Sequence, residues 1–144
     1  MHIRQINDHL YAAPQITPDD VAEAKAMGIG LIINNRPEEE ELGQPEGAAI
    51  EAAAHAAGLH YIAIPVTHAG FSVPQVDAMR AALDENGGGK TLAFCRSGTR
   101  STLLWALAEA KAGHDPDSIA ESAAAAGYDV APVRMLLDAF AANA

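Results

Sequence analysis

Cysteine and basic residues are what this chain of 144 residues has least of: one thiol, and nine lysines and arginines against nineteen acids. A single cysteine forms no internal disulfide, so a reducing compartment is expected. No run approaches the ~18 consecutive apolar residues of a membrane helix. The start, MHIRQINDHLYAAP, has no apolar core of a secretory signal, which makes the cytoplasm the expected location. A formal charge of −10 attracts neither nucleic acid nor an anionic membrane surface, and neither is expected as a partner. Apolar residues make up 49% and charged residues 19%, the composition of a folded chain long enough to bury a core.

What is present alternates. IRQI (3–6) and LYAA (10–13) read as short strands around an Asn-Asp turn. TPDDVAEAKAMG (17–28) reads as a helix with Thr17 as its cap, Pro18 in the first turn and Gly28 at its end. GLIINN (30–35) is an apolar strand of the kind buried on both faces. An alanine-rich helix (47–57) closes on Gly58, and the strand HYIAIPV (60–66) follows. A helix over 72–86 sets Val73, Val76, Met79 and Leu83 near one face, and Gly87–Gly89 ends it before the strand KTLAF (90–94). Three helices complete the chain. One runs from about Ser101 to Ala112, one is capped by Asp115 ahead of Pro116, and one starts near Pro132 with Val133, Leu136, Leu137 and Phe140 as its core stripe. With no repeat, linker or composition break, residues 1–144 read as a single α/β domain. Its mostly parallel central sheet carries helices on both faces, in three layers.

Ligands of such sheets lie beyond the carboxyl ends of the strands. The only cysteine lies at such an end, in LAFCRSGTRSTLLWAL (92–107), between a strand and a helix. A helix N-terminus offers unpaired amides and a partial positive charge, and Arg96 and Arg100 add charge that does not titrate away. Together they favour the thiolate of Cys95 and hence its nucleophilicity. Gly98 permits the positive φ of a tight anion-cradling loop made by Arg96, Ser97, Gly98, Thr99, Arg100 and Ser101. Ser101 and Thr102 are candidate caps of the next helix, and the Ser101 hydroxyl alternatively points back at the sulfur. Arg36, at another strand end, is placed to reach the pocket or to pair with the acidic run RPEEEEL (36–42), itself expected to be an exposed loop. Phe71 is a possible pocket entrance residue. No metal or other cofactor is expected: contiguous acids do not converge on one ion, and His55 and His60 lie across a helix end from each other. Trp105, among leucines, reads as helix packing.

The segments INNRPEEEE and CRSGTRSTLLWAL resemble the phosphatase-like domain of bacterial beta-lactamase hydrolase-like proteins, a family often labelled sulfurtransferase. Residues 3–112 as a whole resemble the dual-specificity and tyrosine phosphatase architecture. That resemblance implies a cysteine nucleophile at Cys95 and an anion-clamping arginine at Arg100. Two departures stand beside it. Four residues (Arg96, Ser97, Gly98 and Thr99) separate Cys95 from Arg100, one fewer than in cysteine phosphatases, and the six-residue loop is instead similar to that of rhodaneses. The stretch PVTHAGFS (65–72), where those phosphatases place an aspartate acid, has no carboxylate and offers His68.

Thiosulfate loses sulfite without help from an acid, so the two departures order the functions. The first expectation is a rhodanese-like sulfurtransferase carrying a persulfide on Cys95, with thiosulfate or a persulfide as donor and an external thiol as acceptor. The alternative is a cysteine-dependent phosphatase acting on a phosphoester or phosphotyrosine, with Cys95, Arg100 and His68 as catalytic groups. A third reading is a non-catalytic anion-binding or redox-sensing module.

Overall fold

The computed structural model describes residues 1–144. Five strands form one sheet: β1 (Arg4–Gln5), β2 (Leu10–Ala13), β3 (Ile29–Asn34), β4 (His60–Ala63) and β5 (Lys90–Phe94). Their spatial order is β1-β2-β5-β3-β4, and only the β1–β2 pair is antiparallel. Six helices surround the sheet: α1 (Asp20–Ala26), α2 (Gly47–Ala56), α3 (Val73–Glu85), α4 (Thr99–Lys111), α5 (Pro116–Ala125) and α6 (Arg134–Ala142). This is the expected α/β architecture, a mostly parallel sheet between helices.

The alternation of side chains along each strand divides the core in two. Leu10, Ala12, Leu31, Ile33 and Ala93 face the larger core beneath α3 to α6. Tyr11, Ala13, Ile32, Leu92 and Phe94 face the smaller one with residues of α1 and α2. At the start of β3 the register shifts: Ile29 lies opposite Lys90 and Leu31 opposite Thr91, leaving Gly30 unpaired. That bulge reverses the parity, so Ile29 and Ile32 enter the same core although three positions apart. Helix α4 is the most enclosed of the helices. Residues Ser101 to Ala108 are all buried, Trp105 among them as packing.

Several boundaries differ from the sequence reading. Helix α1 begins at Asp20 with Asp19 rather than Thr17 at the cap position, and the Thr17 amide donates to the Asp20 carboxylate at 2.8 Å. Strand β4 is assigned only to Ala63, yet the Ile64 and Val66 amides still reach the Asn34 and Asn35 carbonyls, and Pro65 between them falls where the amide would face the open edge of the sheet. Helix α4 starts at Thr99 rather than Ser101. Val73 and Leu136 fall outside their expected stripes, at 47% and 38% exposure. Both lie in the first turn of helices that pack against α4. Asp115 does cap α5, accepting from the Ser118 amide at 3.0 Å.

Leu104 is fully buried in the larger core, whereas Leu42 is fully exposed. Leu104→Ala is expected to cost roughly 2–5 kcal/mol of unfolding free energy by urea titration. Leu42→Ala should stay within about 0.5 kcal/mol of the parent.

Candidate active site

The site forms where the carboxyl ends of β5, β3 and β2 meet the start of α4. Cys95 follows β5, its amide bonded to the Ala13 carbonyl at 3.3 Å, and the residue is buried. Arg96 and Ser97 turn the chain, and Gly98 enters the left-handed region at φ +89°. That conformation directs the Gly98 amide to Cys95 Sγ at 3.1 Å. A side chain at Gly98 is excluded twice, by φ and by Tyr128, whose hydroxyl lies 2.2 Å from where a Cβ would stand. The Tyr128 hydroxyl also reaches the Ser97 carbonyl at 3.4 Å. Burial is the main cause that raises its pKa, with Arg4 opposing and the neighbouring Cys95 adding to the rise.

Below the loop, polar groups are satisfied by the protein itself. Ser101 Oγ donates to Asn35 Oδ1 at 2.7 Å, and Asn35 Nδ2 donates to the Ile64 carbonyl at 2.9 Å. Thr102 Oγ1 donates to the Gly98 carbonyl at 2.9 Å. Neither hydroxyl caps the helix and Ser101 does not turn to the sulfur: the earlier helix start places both residues inside the first turns of α4. The cap position is Gly98, which has no side chain to bond, and the preceding Ser97 Oγ accepts from the Thr99 amide at 3.4 Å.

Arg100 projects from the first turn of α4 into a cluster of charges. Its Nη1 and Nη2 each donate to one Glu40 oxygen at 2.7 Å, and Nη1 also donates to the Val66 carbonyl at 2.7 Å. Arg36 approaches the same carboxylate with Nε at 2.9 Å and gives Nη1 to Gln15 at 3.1 Å. Glu40 is held at about 2, mainly by its bond to Arg100 and further by Arg36, against the opposing pull of burial. Arg100 is in turn raised above its ordinary value, first by Glu40, with the adjacent Cys95 contributing. Arg96 extends outward to Glu41 at 3.0 Å.

A cavity of about 320 Å³ opens over this cluster, lined by Glu39, Glu40, Thr67, His68, Arg96 and Arg100 among others. His68 thus stands at the site, exposed, on the turn after β4. Phe71 does not line the cavity; it packs, half-buried, against the larger core. Arg36 is buried and pairs with the acidic run, the second of the two roles its position allowed. The run itself is not wholly a solvated loop, since Glu40 is drawn in. Glu40, Asn35 and Tyr128 carry no signal of their own in the sequence: one is among four adjacent acids, one is a strand-end amide, and one lies thirty-three residues beyond Cys95 (128 − 95).

Residues 2–112 match the model of the phosphatase-like domain of beta-lactamase hydrolase-like proteins. A beta-lactamase hydrolase-like protein of Xylella fastidiosa (strain 9a5c) is 34% identical over 131 residues, which is 90% of this chain and 30% of that protein. The chain therefore spans less than a third of the length of that curated relative. Among solved structures, a candidate phosphatase of Neisseria meningitidis Z2491 is 35% identical with a TM-score of 0.82, covering 97% of this chain and 99% of its own. PTPMT1 in complex with PI(5)P superposes with a TM-score of 0.79 over 98% of this chain and 95% of its own, at 12% identity, a likeness of fold.

These relatives reverse the order of functions drawn from loop length: sulfur transfer and a rhodanese loop are unsupported, and the phosphatase alternative is favoured. The geometry shows why the spacing misled. Because α4 begins at Thr99, Arg100 lies in the first helical turn, where the Cys95 sulfur adds to the rise of its pKa, and the cavity that Arg100 lines is far larger than one atom.

Glu40 titrates at about 2 in the folded chain against an ordinary 4.5. Its contribution to stability is complete above about pH 4.5 and lost as the pH falls through about 2. Urea midpoints of the parent and Glu40→Gln should therefore differ most above pH 5 and converge toward pH 2; a constant difference across that window contradicts the assigned ion pair.

Proposed function

The chain belongs to the phosphatase-like domain family of beta-lactamase hydrolase-like proteins, and from there we propose that it is a cysteine-dependent phosphatase. The observation that carries the reading is the pairing of Cys95 Sγ with the Gly98 amide at 3.1 Å beside an arginine fixed by two carboxylate bonds. Glu40 and the Val66 carbonyl take Nη1 and one proton of Nη2, which leaves Nε and the other Nη2 proton of Arg100 as a fork for two oxygens of an anion.

In the reaction, the Cys95 thiolate attacks phosphorus. The sulfur–phosphorus bond forms as the phosphorus–oxygen bond to the leaving group breaks, and the departing oxygen takes a proton from His68. Water then attacks the phosphocysteine, giving its proton to His68, and the sulfur leaves as thiolate with release of inorganic phosphate. Arg100 and the loop amides balance the charge on the equatorial oxygens. Glu40 stays ionised at neutral pH, so it donates no proton; it is a positioning residue that holds Arg100 at its post. His68 is the imidazole that lines the cavity, and it takes the role of the acid in this reading. The substrate class is a phosphoester. A fold neighbour binds the phosphoinositide PI(5)P, which fits that class without narrowing it for this chain.

Hydrolysis of p-nitrophenyl phosphate tests the assignment. Cys95→Ser should abolish turnover. His68→Ala should lower kcat and remove the alkaline limb of the pH profile, with a smaller effect on substrates whose leaving groups need no proton. Glu40→Gln should cost about 10²-fold in kcat, the scale of a misplaced catalytic group. Turnover that survives Cys95→Ser contradicts the covalent mechanism, and an unchanged pH profile in His68→Ala removes the assigned acid.

A further inference from the structure

Three arginines converge at this site, and the acidic run satisfies them unequally. Arg100 has a bidentate partner in Glu40. Arg36 is only 2% exposed, yet its Nη2 has no hydrogen-bond partner at all; the nearest carboxylate oxygen, Glu41 Oε1, stays 3.6 Å away. Glu41 meanwhile gives its other oxygen to Arg96 at 3.0 Å, in a pair whose two side chains are 62% and 49% exposed. One loosely held carboxylate therefore bridges a buried, unsatisfied guanidinium and a solvent-facing one, next to the cavity that Arg96 and Arg100 line together.

Magnitudes indicate which contact yields. An exposed ion pair such as Arg96–Glu41 is worth about 0–1 kcal/mol, so displacing it is cheap. A buried donor without a partner costs about 1–3 kcal/mol, and more when charged. An anion seated between Arg36 and Arg96 would give Nη2 the partner that Glu41 fails to reach. The geometry points to a second anion subsite between Arg36 and Arg96, occupied by Glu41 until a ligand bearing two phosphate groups displaces it. The inference rests on the phosphatase reading for the first group, at Cys95 and Arg100, and assigns the substrate class as doubly phosphorylated compounds. Arg96 is then a specificity residue, holding the group that does not react.

Calorimetric binding to the Cys95→Ser protein separates the two readings. The probes are inorganic phosphate, pyrophosphate and 1,3-propanediol bisphosphate, at constant ionic strength. Adding Glu41→Gln is expected to tighten at least one of the two-phosphate probes by about tenfold, on the order of 1.4 kcal/mol, with phosphate changed less than about twofold. Arg96→Ala on that background should cancel the gain. Glu39→Gln is the control, because it removes the same charge from the same loop without a contact to Arg36 or Arg96, and it should leave the preference unchanged. Equal gains for all three probes, the same gain from Glu39→Gln, or no gain overturns the subsite. Phosphate that fails to bind while Glu41→Gln still tightens a two-phosphate probe overturns the phosphatase reading instead; if nothing binds, both fall.

Discussion

One carboxylate shared by two guanidinium groups holds the site in its shape. Glu40 arrives on a loop after β3, Arg36 stands at the start of that loop, and Arg100 comes from α4, so the triad joins the sheet to the helix behind Cys95. Without Glu40, Arg100 would face Cys95 as a long flexible cation with many rotamers to lose on meeting a substrate. With Glu40 in place, most of that ordering is complete before anything binds, which is how fixed charge lowers a barrier more than mobile charge does. The cost of drawing Glu40 inward is met by three donors on its two oxygens, the condition under which buried charge is tolerable.

The fold supplies the rest. Parallel strands end together, so the residues after β5 and β3 emerge at one edge, and the helix that follows β5 turns its first amides toward them. Gly98 is the hinge of this arrangement: its left-handed backbone aims the amide at sulfur, while the missing side chain admits Tyr128 from the segment between α5 and α6. Asn35 and Ser101 tie the floor of the loop to β3 and to the chain after β4. Cys95 and its loop are therefore braced from several elements remote in sequence.

Most of the architecture could be read from the chain because periodicity and punctuation agree. Apolar runs of strand length, glycines after helices and the Asp115–Pro116 cap each report a local preference that the packing keeps. CRSGTR was legible for the same reason, as a strand end, a permissive glycine and two cations within one loop. Glu40 was not, because four adjacent acids share one composition and only the position of Arg100 in space selects among them. Ser101 was misjudged because the helix starts two residues early, which moves a candidate cap into a buried polar ladder. Loop length was the least transferable clue: counting residues between Cys95 and Arg100 ignores that the last of them, Thr99, is already helical. Phe71 and Leu136 show the complementary limit, since an apolar residue next to a helix start belongs to either face until the neighbouring elements are in place.

The central claim is that Cys95 carries phosphorus during turnover, and direct capture of the intermediate tests it best. Protein mixed with p-nitrophenyl phosphate, quenched in acid within the first turnover and digested, should yield the peptide containing Cys95 with a phosphoryl group on sulfur, absent from Cys95→Ser. The same protocol with thiosulfate should leave that peptide unmodified. A persulfide on Cys95 after thiosulfate, with no phosphoryl adduct from the phosphoester, would contradict the account.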